Sequence, residues 1–173
     1  MVALRCEAAI VEVSSAPTDE TGRHMQTLFD PKTYQDVVAR VSSLTPDAPR
    51  QWGRMSPAQM LEHASRALEM AMGRPAMKHA LLGRVIGWTV RKDFLGEKPF
   101  PKNSPTAPSF IIKDEPNFAA AQARALALVQ EFHELGERAV DGHVHGFFGP
   151  LTGAQWGQTQ FKHLDHHLRQ FGG

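Results

Sequence analysis

Cysteine is almost missing: Cys6 is the only one in 173 residues, so no internal disulfide framework exists, and the chain fits a reducing cytosol. Neither sign of charge dominates. Nineteen Lys and Arg face eighteen Asp and Glu, a net charge of +1, with no basic stripe or aromatic ladder, which argues against a nucleic-acid partner. No stretch approaches the roughly 18 uninterrupted apolar residues of a membrane span, and charge interrupts the N-terminal run 1–7 too early for a signal-peptide apolar core. A cytoplasmic protein with no membrane partner is expected. HExxH and ExxH are both missing, which excludes a zincin-type protease and a ferritin-like di-iron site. No serine sits in a recognisable nucleophile–base–acid arrangement.

Hydrophobic residues make up 42% of the chain, enough at this length for one well-buried core and too short a chain for two full domains. Residues 1–24 show no clean period and read as a loosely ordered extension, leaving 25–173 as the folded domain. Within it the patterning is helical. Asp30-Pro31 is a cap followed by proline at the first helical position, and Tyr34, Val37, Val38, Val41 and Leu44 recur at three- and four-residue steps. Ser56-Pro57 repeats that start, and Met60, His63, Ala64, Ala67, Leu68, Ala71 and Met72 form one stripe. A third helix is expected over 77–95, where Gly83 and Gly87 predict close packing or a bend. The stretch 96–108 holds four prolines and cannot be helix. It reads as a lid or binding segment, or as a crossover strap whose prolines lower its entropy. Asn117 caps a fourth helix to about Leu135, 142–150 is a second loop, and a last helix starts at Thr152.

That last helix carries the densest chemistry. His163 and His167 are one turn apart, about 40° from each other around the axis, so both imidazoles can reach one metal ion; His166 faces about 100° away from His167. Two ligands leave a zinc site incomplete, since a structural zinc takes four protein ligands and a catalytic one three plus water. His63, alone on the apolar face of the second helix, is the candidate third. Each feature has a plainer reading. A lone core histidine also reads as a hydrogen-bonded packing residue, and histidines at a helix C-terminus meet the negative end of its dipole. Gln59, one turn before His63, and Gln170, three residues after His167, are candidates to orient a ligand from behind, with Asp165 and Asn103 as weaker helpers. His143-Val144-His145, between glycines, reads as a solvated loop feature. Trp52, Trp88 and Trp156 read as core or groove packing.

A His on the second helix, followed far downstream by His163-Leu164-Asp165-His166-His167-Leu168-Arg169-Gln170, resembles the DinB/YfiT superfamily of bacterial metal-binding bundles. The segments Gln51 to His63, Gly96 to Thr106, Phe147 to Leu151 and Lys162 to Gly172 are similar to its uncharacterised branch of domains of unknown function. The resemblance spans about Met25 to Gly172. It implies an all-α, up-down-down-up four-helix bundle with an additional short helix and a long proline-rich crossover loop. It also implies a divalent metal, zinc or nickel, on His63, His163 and His167. Relatives implied by the resemblance include transferases that use low-molecular-weight bacterial thiols and metal-dependent hydrolases. The expectation is therefore a metal-dependent enzyme acting on a small molecule, first as a thiol S-transferase and alternatively as a hydrolase. The rival from another class is a non-catalytic, stress-related binding protein with a structural metal. Homodimers are common among such bundles, but no residue of this sequence maps an interface.

Overall fold

The computed structural model describes residues 25–173, except Glu97, Pro105 and the side chains of Leu82, Arg84, Ile86 and Trp88. The extension expected over 1–24 and the packing expected of Trp88 lie outside the described residues. Among the described residues five α-helices carry the fold, and the class is all-α: α1 (Pro31–Ser43), α2 (Pro57–Ala71), α3 (Leu81–Leu95), α4 (Phe118–Val140) and α5 (Gly153–Arg169). A single 3-10 turn, Pro108–Phe110, sits between α3 and α4. Two-residue strands β1 (Val144–His145) and β2 (Gly149–Pro150) pair antiparallel before α5, with Val144 opposite Pro150.

The helix starts follow from local chemistry. Asp30 accepts from the Thr33 amide at 2.7 Å and Asn117 from the Ala120 amide at 3.0 Å, each satisfying one donor that the first helical turn leaves free. Ser56 with Gln59, and Thr152 with Gln155, form reciprocal capping boxes at the starts of α2 and α5. Gly136, with φ 73° and ψ 169°, interrupts α4 one residue after the expected end at Leu135; a backbone turn of that sign suits a residue without a Cβ. Four further residues then wind helically to Val140.

Apolar stripes decide the packing. α1 and α2 each lie against both α4 and α5, so Val37 and Val41, Met60 and Leu68, Val129 and Phe132, and Trp156 and Leu164 meet in one core. Trp156 is fully buried, and its indole N–H donates to the His143 carbonyl at 3.1 Å, which removes the cost of burying that donor.

α3 departs from expectation in where it begins. Residues 77–80 are not helical, because tertiary partners take their polar groups: the Ala80 amide donates to Gly146 O at 2.7 Å and His79 Nε2 lies 3.0 Å from Phe147 O. Gly83 and Gly87 do mark close packing, since a methyl group on either would run against the carbonyl oxygen of Phe147. The His143–His145 stretch is not a solvated loop. His143 Nδ1 lies 2.9 Å from Ala71 O, and His145 Nδ1 accepts from the amides of Phe147 and Phe148 at 3.1 and 3.2 Å. Those bonds fold the turn inward over the end of α2.

Candidate metal centre

α2 and α5 run side by side with their histidine-bearing faces together. His63 Nε2 lies 3.0 Å from His163 Nε2, and His167 Nε2 lies 3.2 Å from the same atom. One ring nitrogen from each of the three falls within 4.8 Å of the others. His63 and His167 are 5% and 8% exposed, and His163 is half-buried. Residues 100 positions apart in the chain thus aim three nitrogens at one point.

What stands behind the rings fixes their tautomers. His63 Nδ1 lies 3.0 Å from the carbonyl oxygen of Phe110, which can only accept, so Nδ1 carries the proton and Nε2 a lone pair. Gln170 Nε2 donates to the Trp52 carbonyl at 2.7 Å, which turns its Oε1 toward His167 Nδ1, 3.1 Å away. His167 is therefore also Nδ1-protonated, with its Nε2 lone pair facing inward. Two lone pairs converge on His163 Nε2, and a single proton there can serve one of them well. His163 Nδ1 is buried with no hydrogen-bond partner among the described residues.

Electrostatics keep the cluster neutral. Burial, with the neighbouring imidazoles adding to it, holds His163 well below the ordinary histidine value and His167 at about 3. Burial lowers His63 too, against the opposing pull of the Phe110 carbonyl. Neutral imidazole is the form that binds a metal. Two of the three spacings suit one: nitrogens at about 2.0–2.1 Å from a tetrahedral zinc lie about 3.3 Å apart, close to the 3.0 and 3.2 Å from His163 Nε2 to the other two. The third pair falls within the 4.8 Å that bounds the set. The donor set and geometry fit a divalent cation.

Of the residues expected to support the ligands, the structure brings Gln170 alone against the triad. Gln59 closes the α2 capping box and donates to Asp114 O at 3.2 Å. Asp165 is held by Arg40 at 3.0 Å and Arg169 at 2.9 Å. Asn103 is exposed, with a φ of 59°, in the proline-rich stretch. His166 is not among the converging nitrogens, as its position around α5 predicts; its ring lies 5.1 Å from that of His167, 5.7 Å from Trp52 and 6.1 Å from Phe100. Two supports lie outside the reach of sequence reasoning: the carbonyls of Phe110 and Trp52. Every residue has such a carbonyl, so no side-chain signal marks these two.

Lys162, one residue before His163, has a structural task. Its ammonium donates to the carbonyls of Asp93, Phe94 and Gly96 at 3.2, 3.0 and 2.7 Å, closing the C-terminal end of α3. Burial lowers its pKa to about 8. Among the described residues no helix is long and apolar enough to cross a membrane.

Comparison with known proteins places the chain. Residues 25–172 match the family model described as protein of unknown function DUF1569, and the chain belongs to that family. No curated protein and no solved structure matches it.

Proposed function

We propose that this DUF1569 member binds one divalent cation, zinc or nickel, on His63, His163 and His167, and uses it to activate a low-molecular-weight thiol for transfer to a small electrophilic substrate. The observation that carries the metal site is the pair of Nε2 lone pairs, set by Phe110 O and by Gln170, facing a third imidazole nitrogen at 3.0 and 3.2 Å. Without a cation a single proton on His163 Nε2 serves one of the two facing lone pairs and leaves the other unmatched, whereas three imidazoles with one position left open are a catalytic zinc set. When bound, the cation would hold a thiol as thiolate near neutral pH, or lower the pKa of water to about 7.

The chain's own share is orientation. Phe110 O and Gln170 hold two rings in the required tautomer, and the flanking core excludes water from their outer faces. The thiol transfer reading takes its support from likeness to DinB/YfiT proteins. Under that reading the mutual packing of α1, α2, α4 and α5 is an up-down-down-up four-helix bundle, with α3 as the additional helix and the proline-rich stretch as part of the crossover. Gln59 and Asp165 would act on the triad only through the ends of the helices they tie down. The same bundle in a homodimer is compatible with this assignment.

Turnover of a model electrophile with glutathione, bacillithiol or mycothiol by the metal-loaded protein tests the transferase. Activity should vanish in His63→Ala. Metal uptake without turnover by any thiol, and with hydrolysis of ester or amide substrates instead, would move the assignment to a hydrolase. Metal uptake that only raises the melting temperature would make the ion structural.

A further inference from the structure

Beside the triad, α5 and the proline-rich stretch enclose a cleft whose walls are Trp52, Phe100, Lys102, Lys162, His166 and Arg169. Its chemistry is uneven. Lys102 Nζ stands 4.5 Å from the centre of the Trp52 ring and Lys162 Nζ 4.4 Å from that of Phe100. Neither ammonium forms an ion pair among the described residues, although Lys162 is influenced by Asp93. The one carboxylate lining the cleft, Asp165, is already matched by Arg40 and Arg169. Lys102 thus has no carboxylate partner among the described residues, while Lys162 is committed to the carbonyls that close α3.

The cleft is also wired to the metal ligands. His166 in its wall has its ring 5.1 Å from that of His167. The Trp52 carbonyl takes the Gln170 amide, and Gln170 takes His167 Nδ1, so a wall residue and a ligand share one hydrogen-bond chain. We propose that this cleft binds an organic anion, a small carboxylate with a flat or apolar body that packs against Trp52 and Phe100 and sets its charge against Lys102. The inference deepens the reading of the site: the thiol or the electrophile would carry a carboxylate. It rests on the metal reading for its catalytic meaning, while the binding itself does not require the metal.

Isothermal calorimetry on untagged, metal-free protein tests it, with phenylacetate as the probe and benzyl alcohol as its uncharged counterpart. Phenylacetate should bind, more weakly as salt rises, and about tenfold more weakly in Lys102→Ala, while benzyl alcohol binds far less. Trp52→Leu, which keeps the backbone carbonyl, should also weaken phenylacetate. Binding should persist in His63→Ala, which separates the cleft from carboxylate ligation of the triad. Absence of phenylacetate binding, equal binding of the alcohol, indifference to Lys102→Ala, or loss in His63→Ala would each overturn the proposal. A failure of the triad to bind any metal would leave phenylacetate binding intact and would overturn the catalytic reading alone.

Discussion

Nδ1 of His167 lies 3.1 Å from Oε1 of Gln170, and the same glutamine amide donates to the Trp52 carbonyl at 2.7 Å. A side chain three residues past the ligand thus fixes its tautomer, with its own orientation fixed by the segment before α2. Gln170→Leu removes both bonds and leaves His167 free to rotate. Metal affinity, measured by competition with a chromogenic chelator, should fall about 10- to 100-fold. Gln170→Glu keeps the acceptor and should recover most of it, and equal affinity in all three proteins would remove Gln170 from the site.

Acid should unfold the metal-free protein early. Burial lowers His63, His145, His163, His166 and His167, with His145 at about 4 and His167 at about 3. In the unfolded chain each titrates near 6.5, so below that pH the unfolded state binds more protons and folding weakens. Stability should be flat between about pH 6.5 and 8 and drop steadily as pH falls toward 4. Melting temperature against pH reads this, and a curve that stays level to pH 4 would contradict the buried neutral state of the cluster.

Ser65 Oγ is fully buried and has no hydrogen-bond partner among the described residues. It sits on α2 two residues after His63, about 200° around the helix and away from the triad. Ser65→Ala removes an unsatisfied hydroxyl and raises helix propensity, so the protein should gain about 1 kcal/mol in urea unfolding, with metal content unchanged. A loss of stability would show that the hydroxyl has a partner.

Gly83 lets α3 approach the turn at Phe147, where a Cβ would meet the carbonyl oxygen. Gly83→Ala should therefore destabilise by about 1–3 kcal/mol, against the gain that alanine normally brings to a helix. Stabilisation by this change would mean that α3 does not rest there.

Much of the architecture was legible in the sequence because its signals are local. Asp30-Pro31, Ser56-Pro57, Asn117 and Thr152 announce helix starts through bonds made within three residues, and the stripe on α2 is buried as its period requires. His163 and His167 are fixed relative to each other by the helix alone. Joining His63 to them needs the tertiary fold, which places α2 beside α5. The start of α3 and the half-buried His143–His145 turn depart from the local pattern for the same reason, since bonds from Ala71, Gly146 and Phe147 override local preference there. Gln59 looked like a support for His63 at one-turn spacing, but the same spacing from Ser56 makes it a capping-box partner.

The central claim is that His63, His163 and His167 form one metal site. Elemental analysis of protein purified without a His-tag, wild type beside His63→Ala and His163→Ala, tests it most directly. About one equivalent of zinc, nickel or a similar divalent ion in the wild type, lost in both variants, is the predicted result. Wild-type protein that holds no metal after reconstitution with zinc, nickel, manganese and iron, or variants that keep their full equivalent, would contradict it.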